Sequence, residues 1–193
     1  MIEVYRVAHD LQGRCESEGW KFCLIGGLAL QRWGEPRETI DVDVTLLAGF
    51  GQEEAFVNKI ISWYQPRVAE IVEFAVTNRV VLVKAPSGVG IDIALGCLPF
   101  EESAVDRASA YEFIPGMELR TASAEDLVVM KAFASRPKDW VDVEGIVIRQ
   151  RHSIDWEYVQ AQLAPLVELK GEPDIMTRLE RVRRSVDEPR LGS

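Results

Sequence analysis

The stretch GGLALQRWGEPRETIDVD, Gly26–Asp43, decides how this chain is read. An apolar run, Phe22-Cys23-Leu24-Ile25, leads into it as a strand and meets a Gly26-Gly27 turn. Leu28, Leu30 and Trp33 then mark about two turns of helix, closed by the breakers Gly34 and Pro36. From Arg37 to Thr45 the residues alternate with a period of two, the pattern of a half-buried strand. On that pattern Ile40, Val42 and Val44 point into a core, while Thr39, Asp41, Asp43 and Thr45 leave by the other face. Same-face neighbours on a strand lie about 6.5–7 Å apart, so carboxylates reaching out from Asp41 and Asp43 can converge on one or two divalent cations.

Working outward, Val4, Val7, Ala8, Leu11 and Cys15 follow the helical template, which predicts a helix over Ile2–Glu18 ended by Gly19. Gln52 to Tyr64 carries Val57, Ile60, Ile61 and Tyr64 at helical spacing, with Pro66 as the stop. Between Val72 and Leu95 the composition turns β-branched. VEFAVT, RVVLVKA and IDIAL, the last two separated by Pro86-Ser87-Gly88-Val89-Gly90, read as successive strands of one mixed sheet. Within IDIAL, Asp92 sits between Ile91 and Ile93 and leaves by the face opposite to theirs, which makes a third acid available.

From about Thr121 the pattern is helical. Ser123 followed by Asp126 reads as a capping box opening a helix through Leu127, Met130 and Ala134. Pro137 suits the first turn of a helix over Lys138–Gln150, Asp155 suits the cap of a third, and Gly171 and Pro173 set off a basic helix over Asp174–Ser185. The reading is an α/β (α+β) chain: a mixed-sheet domain over residues 1–120 and a helical lobe over 121–193.

At 193 residues and 47% hydrophobic, the chain has enough apolar material for a sizeable core. A net charge of −9 argues against non-specific coating of nucleic acid, which needs clustered Lys and Arg. Cys15, Cys23 and Cys97 are odd in number and set in apolar surroundings, which predicts buried free thiols in a reducing compartment. His9 and His152, with no CxxC or HxxxH spacing, give zinc little support. Neither a secretory leader pattern nor an apolar run of about 18 residues is present, so a cytoplasmic location without membrane spans is expected.

Gly-Gly, a short helix, an Asp-x-Asp strand and a distant Asp in an I-D-I strand together resemble the nucleotidyltransferase superfamily with the DNA polymerase beta fold. Ala124-Glu125-Asp126-Leu127-Val128-Val129-Met130-Lys131, followed by Arg136-Pro137-Lys138-Asp139-Trp140-Val141-Asp142-Val143, resembles its minimal branch, which includes AbiE-type toxins of type IV toxin–antitoxin systems. The resemblance covers about Phe22 to Asp155. It implies a polymerase-beta-like mixed sheet with flanking helices, an NTP substrate, Mg²⁺ or Mn²⁺ as cofactor, and transfer of a nucleoside monophosphate to a hydroxyl of a tRNA, a protein or a small molecule. It also implies an antitoxin protein as partner.

The residue chemistry agrees with that expectation. Oxygen ligands suit a hard cation, so Asp41 and Asp43 are the metal ligands, with Asp92 as third ligand or general base. Gly26 and Gly27 present backbone N–H groups to phosphate at a helix start. Many relatives carry Ser where this chain has Gly27, so backbone donors must serve there. Arg37 and Thr39, at the strand entrance, are assigned to nucleotide binding; for Arg37 the competing reading is a surface pair with Glu35 or Glu38. The resemblance also assigns Lys131 and Asp139 to the nucleotide. A solvated lysine and a helix-N-terminal acid are their plain alternatives. Trp33, Trp63, Trp140 and Trp156 read as core, and the arginines of the last helix as a solvated face or an RNA contact. An alternative from another class is a member of the same fold that binds nucleotide or a partner without turnover.

Overall fold

The computed structural model describes residues 1–187. Its contacts gather into two compact units, one of residues 1–29 with 37–122, the other of residues 30–36 with those from 123 onward. The first holds α1 (Ile2–Ser17), β1 (Phe22–Leu24), the start of α2 (Gly26–Trp33), β2 (Asp41–Leu47), α3 (Glu53–Ile61), β3 (Gln65–Pro66), α4 (Ile71–Asn78), β4 (Val80–Lys84), β5 (Gly90–Gly96), α5 (Pro99–Arg107), β6 (Ser109–Ile114) and β7 (Met117–Thr121). The second holds the end of α2, then α6 (Ala124–Ala134), α7 (Pro137–Gln150), a 3₁₀ turn at Arg151–Ser153, α8 (Trp156–Lys170) and α9 (Asp174–Asp187).

Seven strands form one mixed sheet in the order β3-β4-β5-β2-β1-β7-β6. At its centre β2 runs parallel to β5 and antiparallel to β1. Because side chains alternate across a strand, this register sorts residues onto two faces. Val42, Val44, Ile91, Ile93, Val81 and Val83 share one face, and they pack with Leu11 of α1, Val57 and Ile60 of α3, and Ala75 of α4 in one buried cluster. Burying each such side chain contributes about 1.5–3 kcal/mol, so this cluster is the main stabilising element of the unit. On the opposite face, Cys23 packs with Val105 and Ala108 at one end, with Leu47 against them. Asp41, Asp43 and Asp92 lie on that second face, toward the start of β2 and β5.

Three sequence expectations change in the folded chain. VEFAVT is helical within α4, not a strand. Ile71 and Ala75 are its buried positions and Val76 is exposed, so a one-sided helical packing surface overrides β-branched propensity. The strand carrying the acids begins at Asp41, and the residues before it do not continue the alternation: Ile40 is 74% exposed and Thr39 is 4% exposed. The ladder begins only at Asp41, so the backbone before it can turn Thr39 inward. Third, α5 and the β6–β7 hairpin fill a stretch to which no element is assigned above. The half-exposed and exposed residues of β6 leave no clean alternation to read.

The second unit follows its caps. Ser123 accepts the Asp126 N–H at 3.2 Å, Asp155 accepts the Tyr158 N–H at 3.0 Å, and Gly171 ends α8 at φ +73°. Leu127, Val143, Ile146, Leu163 and Leu179 are among its buried residues. Residues 30–36 belong here because Arg149 donates to the Gly34 carbonyl at 2.5 Å and Gln150 donates to the Trp33 carbonyl at 2.8 Å. The last six positions of the expected 121–193 lobe lie outside the described residues. None of the three cysteines is in a disulfide; Cys15 and Cys23 are buried and Cys97 is half-buried instead of buried. Burial, with Glu16 and Glu18 nearby, pushes the Cys15 thiol up to about 12. Among the described residues no helix is long and apolar enough to cross a membrane.

Candidate active site

Parallel pairing of β2 with β5 sets Asp43 opposite Asp92 and Asp41 opposite Gly90. Residues paired in register point to the same side of a sheet, with neighbouring strands about 4.8 Å apart, so the three acids share one face. All three are half-buried. Burial raises the Asp92 pKa, the Asp41 charge raises it further, and the Arg67 guanidinium opposes both; the net shift is upward.

Two glycines sit tightly beneath this face. Gly26 has φ +59°, and a Cβ there would stand 2.0 Å from Asp43 Oδ2. Only glycine meets both demands, a left-handed backbone and a carboxylate lying against its Cα. A Cβ on Gly27 would stand 2.4 Å from Thr39 Oγ1. The Thr39 hydroxyl thus occupies the place where a side chain at 27 would begin. It donates toward the Asp41 carbonyl at 3.2 Å and Asp41 Oδ1 at 3.4 Å. Gly26 and Gly27 form the first turn of α2, where N–H groups have no intrahelical acceptor by geometry and suit an anion.

Three aspartates in this setting offer only oxygen atoms as ligands, the donor chemistry that suits a hard cation. The fit in kind and in face is good, but the side chains are not closed around a centre. Among the described residues no group of three His, Cys, Asp or Glu side chains is gathered to hold an ion. Arg67 makes an ion pair with Asp92. It is a residue that the sequence reading missed: it follows Pro66 in no recognisable pattern, and only strand order brings it to the acids.

The structure therefore brings Asp41, Asp43, Asp92, Gly26, Gly27 and Thr39 together within the first unit. Arg37 is exposed at the start of the segment leading to β2. Lys131 and Asp139 lie in the second unit and are brought to each other. The Lys131 ammonium is 3.3 Å from Asp139 Oδ1 and 2.7 Å from Asp142 Oδ2, all three residues being buried. Neither plain alternative alone describes them: Lys131 is not solvated, while Asp139 does accept the Arg136 backbone N–H at 3.3 Å at the start of α7. Burial acts to raise the Asp139 pKa, but hydrogen bonds and charge from Arg136 and Lys131 outweigh it and hold the carboxyl below the usual range. Asp142 was legible in principle, being three residues after Asp139 on the same helix face.

Of the tryptophans read as core, Trp140 is buried, whereas Trp33, Trp63 and Trp156 are half-buried. On α9, Arg178 lies over the Trp140 ring at 4.5 Å and Arg183 over the Trp156 ring at 5.4 Å, so those two arginines serve packing in their own unit.

Several solved structures resemble the chain, among them these two. An antigenic nucleotidyltransferase-like protein from Paracoccidioides brasiliensis is 16% identical, with 92% of each chain covered and a TM-score of 0.53. The antibiotic-resistance factor ANT(2'')-Ia is 17% identical, with 90% of this chain and 96% of the other covered and a TM-score of 0.57. At such identities they speak to the fold, which is that of a nucleotidyltransferase. No curated protein matches the chain by sequence. The family model described as nucleotidyl transferase AbiEii toxin, type IV TA system, matches residues 11–187, nearly the whole length, and the chain accordingly belongs to that family of nucleotidyltransferases.

Proposed function

We propose that this nucleotidyltransferase uses Asp41, Asp43 and Asp92 to move a nucleoside monophosphate from a nucleoside triphosphate to an acceptor hydroxyl, releasing pyrophosphate. The register that pairs Asp43 with Asp92 on one sheet face carries this reading. Asp41 and Asp43, two residues apart on β2, together with Asp92 beside them on β5, would hold Mg²⁺ or Mn²⁺. Bound there, the cation offsets the negative charge that gathers on phosphate oxygens during transfer. The first-turn N–H groups of α2, at Gly26 and Gly27, take phosphate oxygens, and Gly26 lets them come close because no Cβ intervenes. Thr39 orients the Asp41 carboxylate through its hydroxyl. Asp92, whose pKa burial raises, takes the proton of the attacking hydroxyl. The acceptor oxygen bonds to the α-phosphorus as the bond to pyrophosphate breaks, and pyrophosphate leaves with the electron pair.

The family also supports a growth-inhibiting role checked by an antitoxin protein. The acceptor class is an outcome of the test. Wild-type protein is incubated with Mg²⁺ and each α-labelled nucleoside triphosphate, together with total RNA, cell protein or small-molecule fractions, and transferred label and pyrophosphate are measured. Asp43→Ala is the control. Label transfer lost in that variant supports the reading, and transfer at the wild-type rate sinks it. In cells, expression slows growth and Asp41→Ala relieves it; equal inhibition by both forms counts against poisoning by catalysis.

A further inference from the structure

Arg67 stands at the acid face by construction. Its backbone N–H bonds to the Leu82 carbonyl at 2.9 Å, extending the β3–β4 pairing by one residue. Leu82 is paired with Asp92, and Asp92 with Asp43. Arg67, Leu82, Asp92 and Asp43 therefore form one row across four neighbouring chain segments, and the arginine side chain crosses Leu82 to reach Asp92. Gly90 makes room for the guanidinium. A Cβ there would stand 3.0 Å from Arg67 Nη1 and 3.7 Å from the Asp41 Cβ. The positive group thus pairs with Asp92 and shares the space over Gly90 with Asp41.

We propose that Arg67 is a built-in counter-ion of the acid face, exchanging with the divalent cation for Asp92 and so setting how tightly the cation is held. The proposal rests on the reading of the acids as cation ligands and adds a regulator to that site. Three carboxylates on one half-buried face repel each other, and a guanidinium among them offsets that repulsion as the chain folds. The same guanidinium cannot share Asp92 with a divalent cation without like-charge repulsion at close range. Binding must therefore break the Arg67–Asp92 pair, and its free energy is subtracted from cation affinity. Both partners are exposed by about a third, 33% and 35%, so the pair is partly screened and the loss is moderate. The fixed anchor at β3 keeps the arginine at the site after exchange, so the switch is reversible.

The test uses Mn²⁺ alone, without nucleotide, by titration calorimetry and by electron paramagnetic resonance of free Mn²⁺. Arg67→Ala and Arg67→Gln are expected to tighten Mn²⁺ binding by about 3- to 10-fold, the size expected from removing a partly screened charge. Arg67→Lys retains the charge and is expected to stay nearer the wild-type value. Combining Arg67→Ala with Asp92→Asn should return the affinity of Asp92→Asn alone, because the competition is for that carboxylate. A thermal-shift readout follows the same logic: Arg67→Ala melts lower than wild type without Mn²⁺ and gains more from saturating Mn²⁺. Unchanged or weakened Mn²⁺ binding in both neutral variants overturns the proposal. If Asp43→Ala abolishes wild-type binding in that same case, the acid-site reading stands and only the role of Arg67 falls. If Asp43→Ala leaves Mn²⁺ binding unchanged, both fall.

Discussion

Gly26 is where backbone strain and the acid site meet, and Gly26→Ala separates the two contributions when compared with alanine at two other glycines. An alanine at φ +59° takes a left-handed backbone, which costs about 1–2 kcal/mol for an L side chain. Its Cβ would also stand 2.0 Å from Asp43 Oδ2 and 2.6 Å from Asp43 Cγ, distances that force the carboxylate to swing away or the helix start to shift. Overpacking of that kind costs about 1–3 kcal/mol, so the expected total is about 2–5 kcal/mol. Gly19 has φ +68° with nothing within 4 Å of a built Cβ, so Gly19→Ala reports the backbone cost alone, about 1–2 kcal/mol. Gly13 lies within α1, also in open space, and Gly13→Ala should stabilise by about 0.5–1 kcal/mol. With a urea slope of about 2 kcal/mol/M, the midpoint falls by about 1–2.5 M for Gly26→Ala and about 0.5–1 M for Gly19→Ala, and rises slightly for Gly13→Ala. The slope should not change. Gly26→Ala should also weaken Mn²⁺ binding, whereas Gly19→Ala should not. Equal midpoints and equal Mn²⁺ affinities for Gly26→Ala and Gly19→Ala would refute the argument that Asp43 is packed on Gly26.

Three further outcomes follow from the same geometry. Gly27→Ser puts a Cβ 2.4 Å from Thr39 Oγ1 and should destabilise, while adding Thr39→Gly should recover stability, giving a coupling of about 1 kcal/mol or more in a double-mutant cycle; purely additive effects would refute the contact. Lys131→Met leaves Asp139 and Asp142 buried with one cation fewer and should cost about 3 kcal/mol or more by urea unfolding, whereas a loss below about 1 kcal/mol would mean the pairs are dispensable. Asp139 has a pKa depressed in the folded chain, so its contribution is present above the ordinary aspartate value of about 3.9 and is lost as pH falls through its lower folded value. Below about pH 4 the urea midpoint of wild type should therefore fall more steeply than that of Asp139→Asn, and parallel curves would contradict the assignment.

Much of the site was legible because its signals are local. The period-two pattern of Asp41 and Asp43 against Val42 and Val44 follows from strand geometry alone, and both valines are buried as that pattern requires. Ser123, Pro137 and Asp155 announce helix starts by chemistry that needs no partner beyond the next turn. Ile40 shows where the pattern stops carrying information: it continues the alternation in sequence but lies before the ladder begins, and so faces solvent.

What the sequence by itself determined, then, are the features set within a turn or a strand: the acid face of β2, the inward face of α1, the capped helices of the second unit and the two glycines at the start of α2. The tertiary structure decided what depends on residues far apart in the chain. Strand order set Asp92 beside Asp43 and carried Arg67 to it. Packing against the sheet made a helix of VEFAVT, and antiparallel pairing within the sheet made a hairpin of β6 and β7. The bend before β2 laid Thr39 against Gly27, and the meeting of α6 with α7 buried Lys131 between Asp139 and Asp142. These choices rest on pairing register and on which charge finds which partner, and neither has a period that a single strand or helix can display.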